Sequence, residues 1–254
     1  QFGATRDPDW RVYLNDGTGF SLEPTQWSTP MGGAVGITSS LGFNRTRSDA
    51  FGPSASREGS QRWCLKDMDA DARPDLVVMS TYMPSLNYPV QFEQNGEHFW
   101  RVHLNNGAGF DPTPINWLTP DGGMVIGDGQ VLGFPAFQND QVGVGNGTTI
   151  GNDLWRVVDM TGDSRPDLVM TSERVEDVNW MVYEQFSHER SPVWLVHINN
   201  GAGFDEEPLF WPTPEGGLVD PTTGFGFTAT FGGSDHLGSQ TWAMEDRQGD
   251  GRPD

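Results

Sequence analysis

An all-β fold of β-propeller type, made of four-stranded antiparallel blades, is predicted by three observations: internal repeats, apolar alternation with a period of two, and recurrent Asn-Gly turns. Trp10 to Phe20 (WRVYLNDGTGF), Trp100 to Phe110 (WRVHLNNGAGF) and Trp194 to Phe204 (WLVHINNGAGF) align without gaps. Each is followed by a second block, Trp27 to Gly33 (WSTPMGG), Trp117 to Gly123 (WLTPDGG) and Trp211 to Gly217 (WPTPEGG), and both blocks recur at offsets of 90 and 94 residues. A third block recurs as Trp63 to Asp75 (WCLKDMDADARPD), Trp155 to Asp167 (WRVVDMTGDSRPD) and Trp242 to Asp254 (WAMEDRQGDGRPD). These positions hold nine of the ten Trp, so most of the aromatic content is architectural.

Each strand of the unit has its own signal. In Trp100 to Asn105, Trp100, Val102 and Leu104 alternate with Arg101, His103 and Asn105, the mark of a half-buried strand. Asn105 to Gly109 then supplies residues that tolerate positive φ, so the chain reverses. Phe110 to Trp117 returns, with Pro112 and Pro114 suited to an edge. Upstream, Trp63 to Lys66 forms one strand, and Leu76 to Ser80, apolar on both faces, forms a buried one. The expected order is strand, acidic loop, strand, hairpin connection, strand, Asn-Gly turn, strand.

The units join through long Gly-, Ser-, Asn- and Asp-rich segments such as Met31 to Gln61 and Met124 to Asp153. A shared apolar anchor, Leu41 to Phe43, Leu132 to Phe134 and Phe225 to Phe227, is expected to tuck each segment onto its own blade. The whole chain, 1–254, reads as a single repeat domain: a partial unit at 1–62, units at 63–154 and 155–241, and a partial unit at 242–254. The copies are out of phase with the ends, since Gln1-Phe2 matches Gln91-Phe92. The 17 residues Leu168 to Glu184 have no third counterpart, so further repeats in a longer chain, or trimmed ends, are expected.

Charge narrows the partners. With 15 Lys plus Arg against 35 Asp plus Glu, the net charge is −20, which excludes nucleic acid and an anionic membrane surface and favours cations. No apolar run is long enough to insert into a membrane as a helix. The single Cys64 excludes an internal disulfide framework and reads as a small core residue.

The acidic loops carry the chemistry. They offer Asp67, Asp69, Asp71 and Asp75 in the first copy, Asp159, Thr161, Asp163 and Asp167 in the second, and Asp246, Gln248, Asp250 and Asp254 in the third. Oxygen-bearing side chains at positions 1, 3, 5 and 9 of a tight loop converge on one point. Arg73, Arg165 and Arg252, at position 7, would add a backbone carbonyl. Such hard ligands select Ca²⁺, up to three ions in all, with weaker binding where Thr161 and Gln248 replace a carboxylate. Val78 stands where an EF-hand needs a bidentate Glu, so this is a different loop.

The pattern D-x-D-x-D-x-x-P-D-L-V followed by W-x-V-x-L-N-x-G-x-G-F resembles the FG-GAP/VCBS repeats of integrin-like β-propellers over essentially the whole chain. That resemblance implies an acidic loop holding calcium on a blade edge, and Ala70 and Ala72 stand where its pattern usually has Gly.

Outside the repeats no catalytic motif is present: no G-x-S-x-G elbow, H-E-x-x-H helix or phosphate loop. His103 and His197, equivalent to Tyr13, read as structural or surface residues, and His188 and His236 as loop residues. Tyr82, Tyr88, Phe92, Phe99 and Trp180 either pack the hairpin connections or form a sugar-binding surface, and Trp27, Trp117 and Trp211 read as core or blade-to-blade contacts. The expected function is a secreted or cell-surface binding or adhesion module that engages a glycan or protein through variable loops. One alternative is a structural repeat that self-associates as a homo-oligomer. A second is a propeller-borne glycoside hydrolase or lyase using Glu184 with Glu189, or Asp235 with Glu245.

Overall fold

The structure is a computed structural model, and it describes residues 9–35, 40–43, 61–83, 85–86, 88–126, 131–139, 149–151, 153–174, 183–220, 224–228, 231–232 and 242–254. Trp180, Asp235 and His236 lie outside these. Among the described residues the fold is all-β, with no helix. The chain divides into two compact units, residues 1–92 with 99–117 and residues 93–98 with 118–254.

The four expected strands are present, with additions. One sheet runs Gln61–Lys66, Asp75–Met83, Tyr88–Gln94, Glu97–His103, Ile115–Leu118. The two central strands of the four-stranded unit also pair directly, Leu76 with His103 and Val78 with Arg101, so Tyr88–Gln94 is a fifth strand inserted in the hairpin connection. The second copy repeats this: Asp153–Val158 pairs with Asp167–Arg174, that strand with Ser191–His197, and that one with Leu209–Pro212. The first hairpin block is a two-stranded sheet, Asp9–Val12 with Thr25–Ser28. Burial follows the alternation only in part, since His103 and Asn105 are buried as well and Leu104 is half-buried. Trp100 and Val102 are buried beside half-buried Arg101, and Leu76 to Met79 are buried on both faces.

In unit 1 the core gathers Phe43, Trp63, Leu76, Val78, Phe92, Phe99 and Phe110, with Trp10, Trp27 and Leu65 against it. In unit 2 a corresponding cluster holds Met160, Val169, Trp194 and Val196, with Trp211 and Phe227 against it. Of the repeated Trp, Trp63, Trp100, Trp117, Trp155 and Trp194 are buried core residues, and Trp10, Trp27, Trp211 and Trp242 are half-buried.

The connecting segments are tied down through their anchor. Phe43 meets Trp63 edge-on at 5.1 Å, Phe134 meets Trp155 at 5.1 Å, and Phe227 meets Trp242 at 5.0 Å. The carbonyls of Phe43 and Phe227 accept the indole N–H of Trp10 and Trp194. Each of these two anchors thus joins the hairpin Trp before it to the sheet Trp after it, rather than folding back on one blade alone. The glycines of the two motifs explain each other. A Cβ at Gly123 would overlap the Gly133 carbonyl, and a Cβ at Gly217 would overlap Gly226. Bare backbone is what allows that approach.

Two equivalent two-residue turns differ in chemistry. Asn95 (φ 58°) and Gly96 (φ 86°) turn one hairpin with residues made for positive φ. Their counterparts, Glu189 (φ 51°) and Arg190 (φ 70°), adopt the same geometry between His188 and Ser191. For L-residues that conformation costs roughly 1–2 kcal/mol each, partly offset by glycine's greater entropy loss. The double substitution Glu189→Asn, Arg190→Gly is expected to stabilise the protein by about 1 kcal/mol. A rise in the urea unfolding midpoint at constant slope is the check; an unchanged or lower midpoint contradicts it.

Candidate metal centre

All three acidic loops share one backbone conformation. Positions 4 and 6 are left-handed in each: Ala70 and Ala72 (φ 66° and 65°), Gly162 and Ser164 (76° and 71°), Gly249 and Gly251 (73° and 86°). The first Asp enforces it. Asp67 accepts the N–H of Ala70 and of Ala72, each at 2.8 Å. Asp159 accepts those of Gly162 and Ser164, and Asp246 those of Gly249 and Gly251. The third Asp caps position 7: Asp71, Asp163 and Asp250 accept the N–H of Arg73, Arg165 and Arg252 at 2.8, 2.9 and 3.0 Å. Wrapping the chain around these acceptors points successive carboxylates inward.

In the first copy this brings Asp67, Asp69 and Asp71 together, with ligand oxygens all within 4.8 Å of one another. Asp69 is the least committed, its Oδ1 taking only the Asp71 N–H at 3.2 Å. Asp71 is also paired with the Arg73 guanidinium, whose Nε donates at 2.8 Å. Desolvation, the largest single effect, raises Asp71, yet the Arg73 N–H and guanidinium together outweigh it and hold Asp71 below the usual carboxylate range. Among the described residues no other trio of Asp, Glu, His or Cys is so arranged. Thr161 and Gln248 stand at position 3 in the other copies. Thr161 Oγ sits 3.5 Å from Asp159, and the Gln248 amide donates to Asp254 at 2.8 Å. Arg165 lies 3.9 Å from Asp163, and Arg252 donates to the Thr161 carbonyl at 2.9 Å.

Asp75 and Asp167, expected among the ligands, have a different task. Asp75 is fully buried; its Oδ2 accepts the Met68 N–H and its Oδ1 the Asn105 N–H, both at 2.9 Å. Asp167 accepts the N–H of Met160 and Asn199 in the same way, also at 2.9 Å. Asn105 and Asn199 return the bond, donating to the carbonyls of Pro74 and Pro166. The last Asp of the acidic block thus clamps that block to the Asn of the turn motif. Asp254 accepts the corresponding N–H, from Arg247, at 3.0 Å. Spacing alone gave no sign of this, because it does not say which way a carboxylate points. The pairing of a recurrent R-P-D with a recurrent L-N-x-G was the available signal.

The remaining candidates are structural. His103 and His197 are buried, and Nδ1 of each lies 2.7 and 2.8 Å from the carbonyls of Asp111 and Asp205. A carbonyl only accepts, so Nδ1 carries the proton; burial pushes both rings down, keeping them neutral. Phe92 and Phe99 are buried and stacked at 6.1 Å, with Arg101 over Phe92, so they pack the hairpin and present no sugar platform. Tyr82 is half-buried. His188, Glu184 and Glu189 are exposed, and His188 stacks on Phe210 at 3.9 Å.

Compared with known proteins, the chain matches no family model, no curated protein and no solved structure.

Burial pushes the Asp75 carboxyl up to about 6, against the two N–H bonds that pull it down; Asp69 and Asp71 add to the rise. Asp167 is raised for the same reasons. Since 3.8 is the unperturbed value, the folded state holds a proton that the unfolded chain releases. This contribution to stability is complete below pH 3.8 and is lost as pH rises through about 6. In a chelator the Asp75 carboxyl is expected to titrate near 6 by carbon NMR, and lower once a cation neutralises Asp69 and Asp71. A midpoint below 4 in chelator would contradict the burial argument. Asp75→Asn, which turns an amide N–H₂ toward a backbone N–H, is expected to cost about 2–4 kcal/mol at neutral pH. The same cost is expected of Asp167→Asn, and denaturant titration measures both.

Proposed function

We propose that the protein is a calcium-stabilised extracellular binding module of the FG-GAP/VCBS type. In this reading its repeats are propeller blades, and the loops that vary between repeats engage a glycan or a protein surface. The observation that carries it is the trio Asp67, Asp69 and Asp71, three hard carboxylate ligands converging within 4.8 Å in a loop between two buried strands. Three like charges at that spacing repel, and a divalent ion converts the repulsion into a cross-link. Oxygen-only ligands favour Ca²⁺, and magnesium, which keeps its waters, gains less from such a loop. Without a bidentate Glu the affinity belongs in the range of extracellular modules, about 10⁻⁴–10⁻³ M. That range suits a secreted or surface-displayed protein. The second and third loops, with Thr161 and Gln248, bind more weakly or not at all.

Calorimetric titration of the chelated protein with CaCl₂ is expected to show one dominant site, and saturating calcium to raise the melting temperature. Asp69→Asn, at the least committed carboxylate, is expected to weaken that site at least tenfold, while Thr161→Asp strengthens the second loop. Absence of binding heat together with an unchanged melting curve would remove the metal from this reading.

A further inference from the structure

The same dipeptide, Asn-Gly, stands at three places among the described residues: Asn95-Gly96, Asn106-Gly107 and Asn200-Gly201. It is chemically labile, because glycine has no side chain to shield its nitrogen. That nitrogen loses its proton and attacks the carboxamide carbon of the Asn. A C–N bond forms, the bond to the side-chain nitrogen breaks, and ammonia leaves. Water then opens the cyclic imide at either carbonyl, giving aspartate or isoaspartate. Two groups must be free for this: the carboxamide, to swing toward the main chain, and the Gly N–H, to give up its proton.

All three Asn are exposed, so exposure does not tell them apart. Bonding does. Asn106 Oδ1 accepts the Ala108 N–H at 3.0 Å, and its Nδ2 donates to the Asp111 carboxylate at 2.9 Å. The Gly107 N–H donates to Asn105 Oδ1 at 2.9 Å. The other repeat matches it. Asn200 accepts the Ala202 N–H at 3.0 Å and donates to Asp205 at 2.7 Å, and the Gly201 N–H donates to Asn199 Oδ1 at 2.9 Å. Asn105 and Asn199 are themselves buried and fixed, since Asp75 and Asp167 accept their N–H groups. The far end of each turn is tied as well, with Gly109 bridged to Ser28 and Gly203 to Leu118.

Asn95-Gly96 is free in both respects. The pair forms the two-residue turn between Tyr88–Gln94 and Glu97–His103. Among the described residues neither the Asn95 carboxamide nor the Gly96 N–H has a hydrogen-bond partner. A Cβ on Gly96 would meet nothing within 4 Å, so the space beside its nitrogen is open. We propose that Asn95 is a site of spontaneous deamidation, and that the bonds around Asn106 and Asn200 protect the same dipeptide there. The product adds a negative charge to a chain already at −20. Isoaspartate also routes the main chain through an extra methylene, for which a two-residue turn has no slack. The proposal does not rest on the calcium reading, and its test contains no metal.

Peptide mapping by mass spectrometry measures ammonia loss at each dipeptide of the full chain, held folded in mildly alkaline buffer and, in parallel, in concentrated urea. In the folded chain Asn95 is expected to deamidate at least tenfold faster than Asn106 or Asn200, because several hydrogen bonds must break before either of those can react. In urea the three rates are expected to converge to within about threefold, since those bonds are gone. Asp111→Ala removes the acceptor of Asn106 Nδ2 and is expected to speed Asn106 by about threefold while leaving Asn200 unchanged. Circular dichroism checks that this variant folds, and the wild-type comparison stands without it. Equal rates at the three sites of the folded chain, an Asn95 lead that persists in urea, or an Asn106 rate unmoved in folded Asp111→Ala would each overturn the proposal.

Discussion

A buried carboxylate that accepts two backbone N–H groups holds each repeat together. Asp75 and Asp167 reach from the start of a central strand in opposite directions, one oxygen to the acidic loop, the other to the Asn of the hairpin turn. Both elements consist of residues with weak preference for any single conformation, so neither has a fixed position unaided. Charge-assisted bonds are about twice as strong as neutral ones, and out of water they have no competitor. Once the Asn turn is fixed, its Gly-Phe end lies at the height needed to meet the neighbouring edge strand. The acidic loop is fixed in the same step, with its other carboxylates facing one another.

The cost of that arrangement is electrostatic. Placing Asp75 out of water with Asp69 and Asp71 nearby raises its proton affinity. Arg73 answers part of the charge by pairing with Asp71, and a divalent cation would answer more. The left-handed alanines at positions 70 and 72 are a second sign that the loop is shaped by its ligands. Asp67 holds both in place by accepting their N–H groups, overriding the preference of L-residues for negative φ. In the other two copies glycine occupies three of the four equivalent positions, and Thr161 and Gln248 replace the position-3 carboxylate.

Edge-on aromatic pairs join the apolar anchors to the tryptophans of the sheets that follow them. Phe43, Phe134 and Phe227 meet Trp63, Trp155 and Trp242 edge-on, which fixes the apolar anchor of each connecting segment. The Gly-Gly and Leu-Gly-Phe motifs are two sides of one backbone contact, at Gly123 with Gly133 and at Gly217 with Gly226. Neither motif explains itself in isolation.

Much of the architecture was legible in the sequence, because repetition makes local signals self-checking. Three copies of W-x-V-x-[LI]-N and of D-x-x-x-D-x-R-P-D imply strands, turns and acidic loops whatever the tertiary context. The period of two placed Trp100 and Val102 inside, and the structure buries them. The convergence of Asp67, Asp69 and Asp71 was equally readable, since alternate residues of a tight loop share a face. Three features needed the fold. The fifth strand, Tyr88–Gln94, exists because a partner strand is there to pair with it. The inward turn of Asp75 and Asp167 depends on N–H groups from a residue some thirty positions on. The contrast between exposed Phe20 and buried Phe110 is invisible in motifs of the same pattern. Sequence determines what a segment offers: its period, its turn residues, its ligand atoms. Which offers are taken up is settled by neighbours distant along the chain, and only the tertiary structure brings those into contact.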